Sequence, residues 1–441
     1  MSDFERGRDI KHKKFYGPNK DRRDYGPGGS RRMPILLTKP DRDRDGDKDR
    51  SDARSPAKPV PQPTIMVRVR DGDSRPSSSA SRPPSVLRKE NETAQPLYHL
   101  AGKHVPAENI NPLAPPPEMK GPIKLLDESF QFVDGALEYL LEQSDFLVVG
   151  ILGLQGAGKS TVLNLVAEGS VEKCARAPLF KPQGPEQLEL GSHCTSGVDL
   201  LVTPNRVILL DTQPMLSASV MDRLVQLESS KKFVAPEFTS TENALEIQSL
   251  QLAAFLLSVC HVVIVVQDWF FDPNILRFLH SAEMLKPSTP TTTPDEEIIE
   301  YFPHVLFLQN RARPSDFAPR QIKLMQDIYN RTFLRSRLLI QSGMGIATGD
   351  VANVLNPSLC GEPINLFLIP DLFEPEEKGQ YRGHPGVSIL ISKLRNQLHG
   401  VTRNPLTHTT LTEKNWYHYA SKVWEGIKKS SFFMEYSRLL P

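Results

Sequence analysis

From about residue 121 onward, short apolar runs rich in β-branched residues alternate with longer segments that have helical spacing. Continuous apolar runs of about four to eight residues are typical of strands that are buried on both faces. Six segments have this character: 146–153, 198–203, 207–211, 261–268, 304–309 and 364–369. Strands separated by helices form a doubly wound, mostly parallel α/β sheet, and the pattern predicts that fold class.

The intervening segments predict helices. Residues 123–142 place five apolar residues at helical spacing: Leu126, Phe130, Val133, Leu137 and Leu140. Further helices are predicted at 244–258, 274–285, 388–398 and about 412–437. We interpret Trp416 and Trp424 as packing anchors of the last helix rather than as ligand contacts.

The first 120 residues have the composition of a disordered tail. They hold about 17 of the 38 prolines and few aromatic residues, too little apolar surface to form a core. Their charge is about +8, which the mildly acidic remainder offsets to a formal net charge of +1. An acidic partner, RNA or a solvated linker would each explain the basic tail. The tail contains two short apolar segments, residues 33–40 and 63–68. They could dock on a partner protein, or they could be chance clusters of apolar residues.

The predicted organisation is therefore a tail over residues 1–120 and one folded domain over residues 121–441. Loop insertions interrupt that domain, notably at 286–300, and helices close it. Thr289 and Thr293 each precede a proline in this insertion, and we predict them as phosphorylation sites.

Several classes of protein are not indicated. Four cysteines occur without a C-x-x-C pair, so neither a zinc site nor a disulfide framework is predicted. The N-terminus is charged, and the longest apolar stretch, 252–266, is shorter than the roughly 18 residues of a membrane helix. We expect no membrane contact and a cytoplasmic location, and the sequence is also compatible with a fraction of the protein in the nucleus. The basic residues lack interleaved aromatics, so direct RNA contact is not expected.

Residues 153–160 read Gly-Leu-Gln-Gly-Ala-Gly-Lys-Ser, the phosphate-binding pattern G-x-x-x-x-G-K-[ST]. A strand precedes this pattern and a helix follows it, as the motif requires. Glycines let the backbone N–H groups turn inward toward phosphate, Lys159 adds a positive charge, and the Ser160 hydroxyl is a ligand for Mg²⁺. The residues predicted to bind phosphate are Gln155, Gly156, Ala157, Gly158, Lys159, Ser160 and Thr161. The expected cofactors are Mg²⁺ and ATP or GTP, or the diphosphate.

Later motifs depart from those of an active nucleotide switch. Thr195 and Asp211 are predicted to complete the Mg²⁺ site with Ser160. The motif that begins at Asp211 reads Asp-Thr-Gln-Pro, so proline stands where a backbone N–H would hold the γ-phosphate. Met215 occupies the position of a water-orienting glutamine, and Gln213 precedes it. Hydrolysis is therefore expected to be slow or absent.

The motif that reads the base is also altered. It reads Asn310-Arg-Ala-Arg313, so the aspartate that would accept hydrogen bonds from guanine is replaced by a side chain that only donates. Asn310 and Arg311 remain as predicted base-binding residues. Adenine and guanine both stay open.

Long strings of residues resemble the SMG nine family of nonsense-mediated mRNA decay factors. Besides the phosphate-binding loop, the strings are 211–214, 262–270, 282–290, 381–385, 411–416 and 435–440, with a similar stretch at 34–40 in the tail. The resemblance spans about residues 121–441. It implies a G-domain-like P-loop NTPase fold.

The resemblance also implies a function. It implies a regulatory subunit that pairs with SMG eight through the G domains and binds the SMG one kinase, whose substrate is the RNA helicase Upf one. We expect a pseudo-GTPase in which the nucleotide is structural. The alternative is a working GTPase or ATPase switch, and an RNA-binding adaptor acting through the basic tail is a third hypothesis.

Overall fold

The computed structural model describes residues 118–229, 240–288, 300–372 and 383–440. Their centre is a seven-stranded sheet with the order β1-β3-β4-β2-β5-β6-β7. The strands are β1 (Ile123–Leu126), β2 (Leu147–Gly153), β3 (Val198–Val202), β4 (Val207–Thr212), β5 (Val262–Gln267), β6 (His304–Ala312) and β7 (Leu366–Pro370). The predicted doubly wound, mostly parallel sheet is confirmed.

Strand directions place the phosphate-binding loop. β2 pairs in parallel with β4 on one side and with β5 on the other, and β6 and β7 continue the parallel series. β3 pairs antiparallel with β4 and with β1. The order reverses at β2, and ligands of such sheets bind at the carboxyl ends of the strands at this point. The loop after β2 lies there.

Helices surround the sheet. They are α1 (Lys159–Glu168), α2 (Val171–Arg176), α3 (Pro185–Glu189), α4 (Ala218–Ser229), α5 (Thr241–Val259), α6 (Pro273–Leu285), α7 (Pro319–Thr332), α8 (Pro357–Cys360), α9 (Val387–Gly400), α10 (Glu413–Lys428) and α11 (Ser431–Leu439). Short 3-10 helices occur at Asp134–Glu138, Pro314–Phe317 and Ile346–Thr348. Across the described ranges, no helix has the length and apolar character needed to span a bilayer.

Some predicted features lie outside the described residues. These are the tail up to residue 117 with its two short apolar segments, and most of the 286–300 insertion, including Thr289 and Thr293. The predictions about them stay predictions. Five helices have no counterpart among those that the sequence pattern predicted: α2, α3, α4, α7 and α8.

The predicted helix over residues 123–142 is wrong. Ile123–Leu126 instead forms β1, which pairs with β3, and Phe130 has a left-handed backbone with φ of 57°. The apolar residues of this segment are buried by distant partners, since the Phe130 ring stacks on Trp424 at 5.8 Å between centroids. Helical spacing was present, but strand pairing and tertiary packing determined the structure.

Two tryptophans of helix α10 attach it to two distant segments of the chain. The Trp416 indole N–H donates to the Val259 carbonyl at 2.8 Å, and that of Trp424 donates to the Phe130 carbonyl at 2.9 Å. Both indoles are fully buried. The interpretation of these tryptophans as packing anchors is confirmed.

The carboxylate at the start of α10 is fully buried and ionically paired. Glu413 accepts from the Leu141 backbone N–H at 2.8 Å, from the Gln143 amide at 2.9 Å and from Arg206 Nε at 2.7 Å. A second nitrogen of the Arg206 guanidinium also contacts it and donates to the Tyr139 carbonyl at 3.1 Å. Arg206 lies in the turn between β3 and β4, so this carboxylate joins three distant segments.

A buried histidine at the start of β5 makes the fold sensitive to acid. His261 Nδ1 accepts from the Val148 backbone N–H at 3.0 Å, so this nitrogen carries no proton. Burial, followed by the nearby charges of Arg403 and His304, lowers the pKa of His261 to about 4. The unfolded chain therefore binds a proton at a higher pH, near 6.5, than the folded protein does.

We expect His261 to destabilise the fold by about 2 kcal/mol at pH 5 relative to pH 7, because stability is lost as pH falls from about 6.5 toward the folded pKa. His261→Gln, which keeps an acceptor for the Val148 N–H, should lose correspondingly less between these pH values. Urea unfolding at pH 7 and pH 5 measures the difference. His408→Gln, at an exposed histidine, is the control and should behave as wild type. Equal losses in wild type and His261→Gln would contradict the assignment.

Candidate nucleotide-binding site

The loop between β2 and α1 has the backbone that the glycine pattern predicts. Gly156 and Gly158 have left-handed conformations, with φ of 77° and 95°. A Cβ atom at Gly158 would collide with the side-chain amide of Asn310, so the loop needs glycine here for its path and for space. Lys159 begins α1, which aims the N–H groups of the helix N-terminus at the loop.

Asn310 braces the loop from outside. It is buried near the end of β6, and its side-chain amide donates to the Ala157 carbonyl at 2.9 Å. One amide hydrogen of this predicted base-binding residue is therefore already hydrogen-bonded to the loop. Its neighbour Arg311 has a left-handed backbone and an exposed guanidinium 4.0 Å from Asp268. Arg311 and Asp268 both line the cleft beside the loop.

Arg313, which replaces the guanine-reading aspartate, has another contact. Its guanidinium lies over the exposed Trp269 ring, 5.7 Å from the ring centroid. Its backbone N–H donates to Asp316 at 2.9 Å, and the same carboxylate oxygen accepts from the Gln309 amide at 3.0 Å. The segment after β6 is thus fixed by Asp316 and by a cation–π contact.

The three predicted Mg²⁺ ligands converge. The Ser160 hydroxyl donates to Asp211 Oδ2 at 2.6 Å, and the Thr195 hydroxyl donates to the same oxygen at 3.0 Å. The two hydroxyl oxygens are 3.5 Å apart. Asp211 is buried, and its Oδ1 atom has no hydrogen-bond partner in the structure. An orphaned carboxylate oxygen beside two hydroxyls is a set of hard donors suited to Mg²⁺.

Burial perturbs both charged groups of the site. Desolvation lowers the pKa of Lys159 to about 8, and the negative charge of Asp211 offsets part of this effect. Desolvation raises the pKa of Asp211, against hydrogen bonds from Ser160 and Thr195 and the charge of Lys159. The Lys159 ammonium donates to the Leu154 carbonyl at 3.1 Å. An anion beside Lys159 and a cation beside Asp211 would each stabilise the charged form.

The segment after Asp211 is committed to structural contacts. Gln213 is buried. Its side-chain oxygen accepts from the Gly197 backbone N–H at 3.0 Å, and the Gln213 backbone N–H donates to the Gly197 carbonyl at 2.9 Å. Pro214 lines the cleft and offers no N–H. Met215 is buried, and its N–H donates to the Gly153 carbonyl at 3.2 Å. Neither Gln213 nor Met215 is placed to orient a water molecule at the phosphate end.

A cleft of about 710 Å³ extends from the loop. Six of the seven predicted phosphate-binding residues line it: Gln155, Gly156, Gly158, Lys159, Ser160 and Thr161. The sequence motifs did not predict the residues of the opposite wall of the cleft. They belong to the long segment between α1 and β3. That wall contains Val171, Cys174, Ala175, Pro178, Leu188 and Cys194. No motif marks these residues, and only the length of the segment before β3 pointed to them.

Comparisons with known proteins identify the family. A protein of Xenopus tropicalis described as nonsense-mediated mRNA decay factor SMG9 is 40% identical over 450 residues, which cover 93% of this chain and 87% of the relative. The chain belongs to the SMG9 family. The SMG9 of Salmo salar is 36% identical over 477 residues, covering 96% of this chain and 93% of the relative. The resemblance to the SMG nine family is confirmed.

The SMG9 of Drosophila melanogaster is 27% identical over 335 residues, covering 72% of this chain and 60% of the relative. No protein-family model matches the chain. A solved structure, the GTPase-like domain of S. cerevisiae Ski7 bound to GDP and inorganic phosphate, is 15% identical. The match covers 42% of this chain and 39% of that chain with a TM-score of 0.23, too low to bear on the ligand of this SMG9-family chain.

Proposed function

We propose that this SMG9-family chain is a nucleotide-binding regulatory subunit in nonsense-mediated mRNA decay, in which the nucleotide stabilises the fold and is hydrolysed slowly or not at all. One observation carries the proposal. The orphaned oxygen of Asp211 lies beside the Ser160 and Thr195 hydroxyls at an intact phosphate-binding loop. The residues that would activate water are engaged elsewhere.

The binding chemistry follows from the residues present. The N–H groups of residues 155–161 and the N-terminus of α1 would cradle the phosphates. Lys159 would add its charge, which a bound anion would favour over the neutral amine. Ser160, Thr195 and Asp211 would hold Mg²⁺, which when bound neutralises phosphate charge. The base, adenine or guanine, would lie toward Arg311 and Asp268, which line the cleft.

Two features of the segment after Asp211 support the proposal that hydrolysis is slow or absent. A catalytic glutamine must turn its amide toward the attacking water. Gln213 would have to give up its contact with Gly197, and the buried Gly197 N–H would then lose its partner. Leaving a buried donor unsatisfied destabilises a protein by about 1–3 kcal/mol. Pro214 also supplies no N–H for a γ-phosphate.

Membership of the SMG9 family supports the proposed partners. They are SMG eight, in a heterodimer formed through the G domains, and the SMG one kinase, which the pair would regulate with Upf one as the downstream substrate. We propose a cytoplasmic location and no catalytic role in the complex. Co-purification of the full chain with each partner, in the presence and absence of nucleotide, tests this assignment.

The nucleotide role is tested on purified full-length protein. Denaturation should release a nucleoside di- or triphosphate at close to one per chain, identified by chromatography. Multiple-turnover phosphate release, measured with ATP and with GTP, should stay at the level of Ser160→Asn, a variant in which a bulkier amide replaces the Ser160 hydroxyl of the cation site. Recovery of no nucleotide would contradict the proposal.

An active GTPase or ATPase switch is the second candidate, because the phosphate-binding loop and all three predicted cation ligands are intact. Phosphate release that exceeds the Ser160→Asn level, alone or with SMG eight, would favour this candidate. The adaptor hypothesis based on RNA binding rests on the basic tail alone, and it would require a steeply salt-dependent RNA affinity lost on deleting residues 1–120.

A further inference from the structure

Gln155, in the middle of the phosphate-binding loop, directs its side chain away from the phosphate position. The loop residues at this point need only their backbone N–H groups to bind an anion. The amide of Gln155 contacts two other segments that border the cleft. We define these as the first flanking segment, residues 189–195, and the second flanking segment, residues 213–227.

The nitrogen of the amide holds the first flanking segment. Gln155 Nε2 donates to the Gly191 carbonyl at 2.8 Å. A second glutamine contacts the same segment from the outer wall, since Gln183 Nε2 donates to the Ser192 carbonyl at 2.8 Å. Thr195, a predicted Mg²⁺ ligand, closes this segment. The position of Thr195 therefore depends on the hydrogen bonds that Gln155 and Gln183 make to its segment.

The oxygen of the amide holds the second flanking segment. Gln155 Oε1 accepts from the Ser219 hydroxyl at 2.7 Å and from the buried Ser217 hydroxyl. Since the Ser219 proton is directed to Gln155, Ser219 accepts from His193, whose Nδ1 lies 2.8 Å away. His193 belongs to the first flanking segment. One amide and one histidine therefore tie the two flanking segments together.

Other contacts near Gln155 strengthen the link. The Met215 N–H donates to the carbonyl of Gly153, two residues before Gln155. The Leu216 N–H donates to the Ser249 hydroxyl at 3.2 Å. The second flanking segment is thus attached to the loop and to α5 by groups that involve no ligand.

In nucleotide switches, contacts from the γ-phosphate and its Mg²⁺ order two such segments, and hydrolysis releases them. We propose that Gln155 takes over this role, so that both flanking segments keep one arrangement whether the cleft holds a diphosphate or a triphosphate. The proposal rests on the proposed structural role of the nucleotide and supplies its mechanism. The side chain bridges both segments where Pro214 offers the γ-phosphate no donor.

Hydrogen exchange detected by mass spectrometry tests the proposal on the full chain. Three states are compared: nucleotide-free protein, protein with a diphosphate and Mg²⁺, and protein with a non-hydrolysable triphosphate and Mg²⁺. In wild type, both flanking segments should exchange equally with diphosphate and triphosphate. In Gln155→Ala, both should exchange about tenfold faster or more in every state, because the bridging contacts are gone.

Gln183→Ala is the matched control. It removes one side-chain contact to the first flanking segment but none to the second. Exchange should therefore rise at residues 189–195 and stay at the wild-type rate at residues 213–227. The variant S217A should show the opposite pattern, because the Ser217 hydroxyl contacts Gln155 and Ser219 but no residue of the first flanking segment. It removes no atom of the phosphate-binding loop.

The two proposals fail in different ways. Protection in wild type that differs between diphosphate and triphosphate, or Gln155→Ala with wild-type exchange in both segments, would overturn the role of Gln155. A melting temperature that does not respond to nucleotide would contradict the proposed function. The nucleotide-free comparison of wild type with Gln155→Ala remains decisive for Gln155 in that case.

Discussion

Replacing Glu413 with alanine is expected to destabilise the protein by about 3–5 kcal/mol, the largest effect of any substitution proposed for it. The carboxylate is fully buried, and its removal leaves the Arg206 guanidinium, only 13% exposed, without a counter-charge. The Leu141 N–H and the Gln143 amide lose their acceptor as well. Urea unfolding of the full chain, followed by tryptophan fluorescence, measures the loss.

Two further variants separate the ionic effect from a general effect on α10. Glu425→Gln removes an exposed carboxylate on the same helix, paired with Lys428 and Lys429, and should leave stability within about 1 kcal/mol of wild type. The double variant Arg206→Met with Glu413→Leu should recover part of the loss, because no unpaired charge stays buried. A loss below about 1 kcal/mol in Glu413→Ala would show that the pair is not a structural element.

Replacing Lys159 with alanine is expected to weaken nucleotide binding by roughly 10- to 150-fold, since a hydrogen bond to a charged group contributes about 1.5–3 kcal/mol. A nucleotide at 100 times its Kd stabilises a fold by about 2.7 kcal/mol, and the variant should lose about half of this gain or more. The melting temperature with nucleotide should fall by roughly 2–4 °C. The protein should also lose its retained nucleotide and bind SMG eight less well.

The nucleotide-free proteins provide the decisive control. In the empty fold the variant loses only the hydrogen bond to Leu154 and the charge beside Asp211, and this loss is the baseline. The difference between wild type and variant should increase when nucleotide is added. Lys181→Ala, at an exposed lysine beside Pro182 of the cleft wall, should melt as wild type in both conditions. Lys159→Ala with an unchanged response to nucleotide would contradict the assignment of the loop.

Much of the sheet was predictable because its central strands are buried on both faces. Runs such as 262–267 have no polar alternation, and their β-branched residues leave little choice but a strand between helices. The edge strand β1 was not predictable, since its four residues have a short pattern that also fits a helical face. Its structure depends on pairing with β3, and Phe130 is fixed by Trp424 from far along the chain.

The candidate site divides in the same way. Ser160, Thr195 and Asp211 were found because each belongs to a motif with a fixed place relative to a strand end. The contacts of Gln155 could not be found, because Gly191 and Ser217 belong to segments without periodicity or motif. In the sequence, Gln213 lies two residues before the position of a water-orienting glutamine, and only the fold shows that its side chain is hydrogen-bonded to Gly197.

The long sequence separation closed by α10 has a consequence for biosynthesis. The partner of Arg206 is Glu413, which lies 207 positions further along the chain. Until the ribosome has synthesised α10, the face of α5 that accepts Trp416 stays uncovered. At translation rates of roughly 5–20 residues per second, this delay lasts on the order of 10–40 s. During that interval the Arg206 guanidinium stays in water and the apolar face of α5 stays open, and exposed apolar surface of this kind makes a nascent protein prone to aggregation.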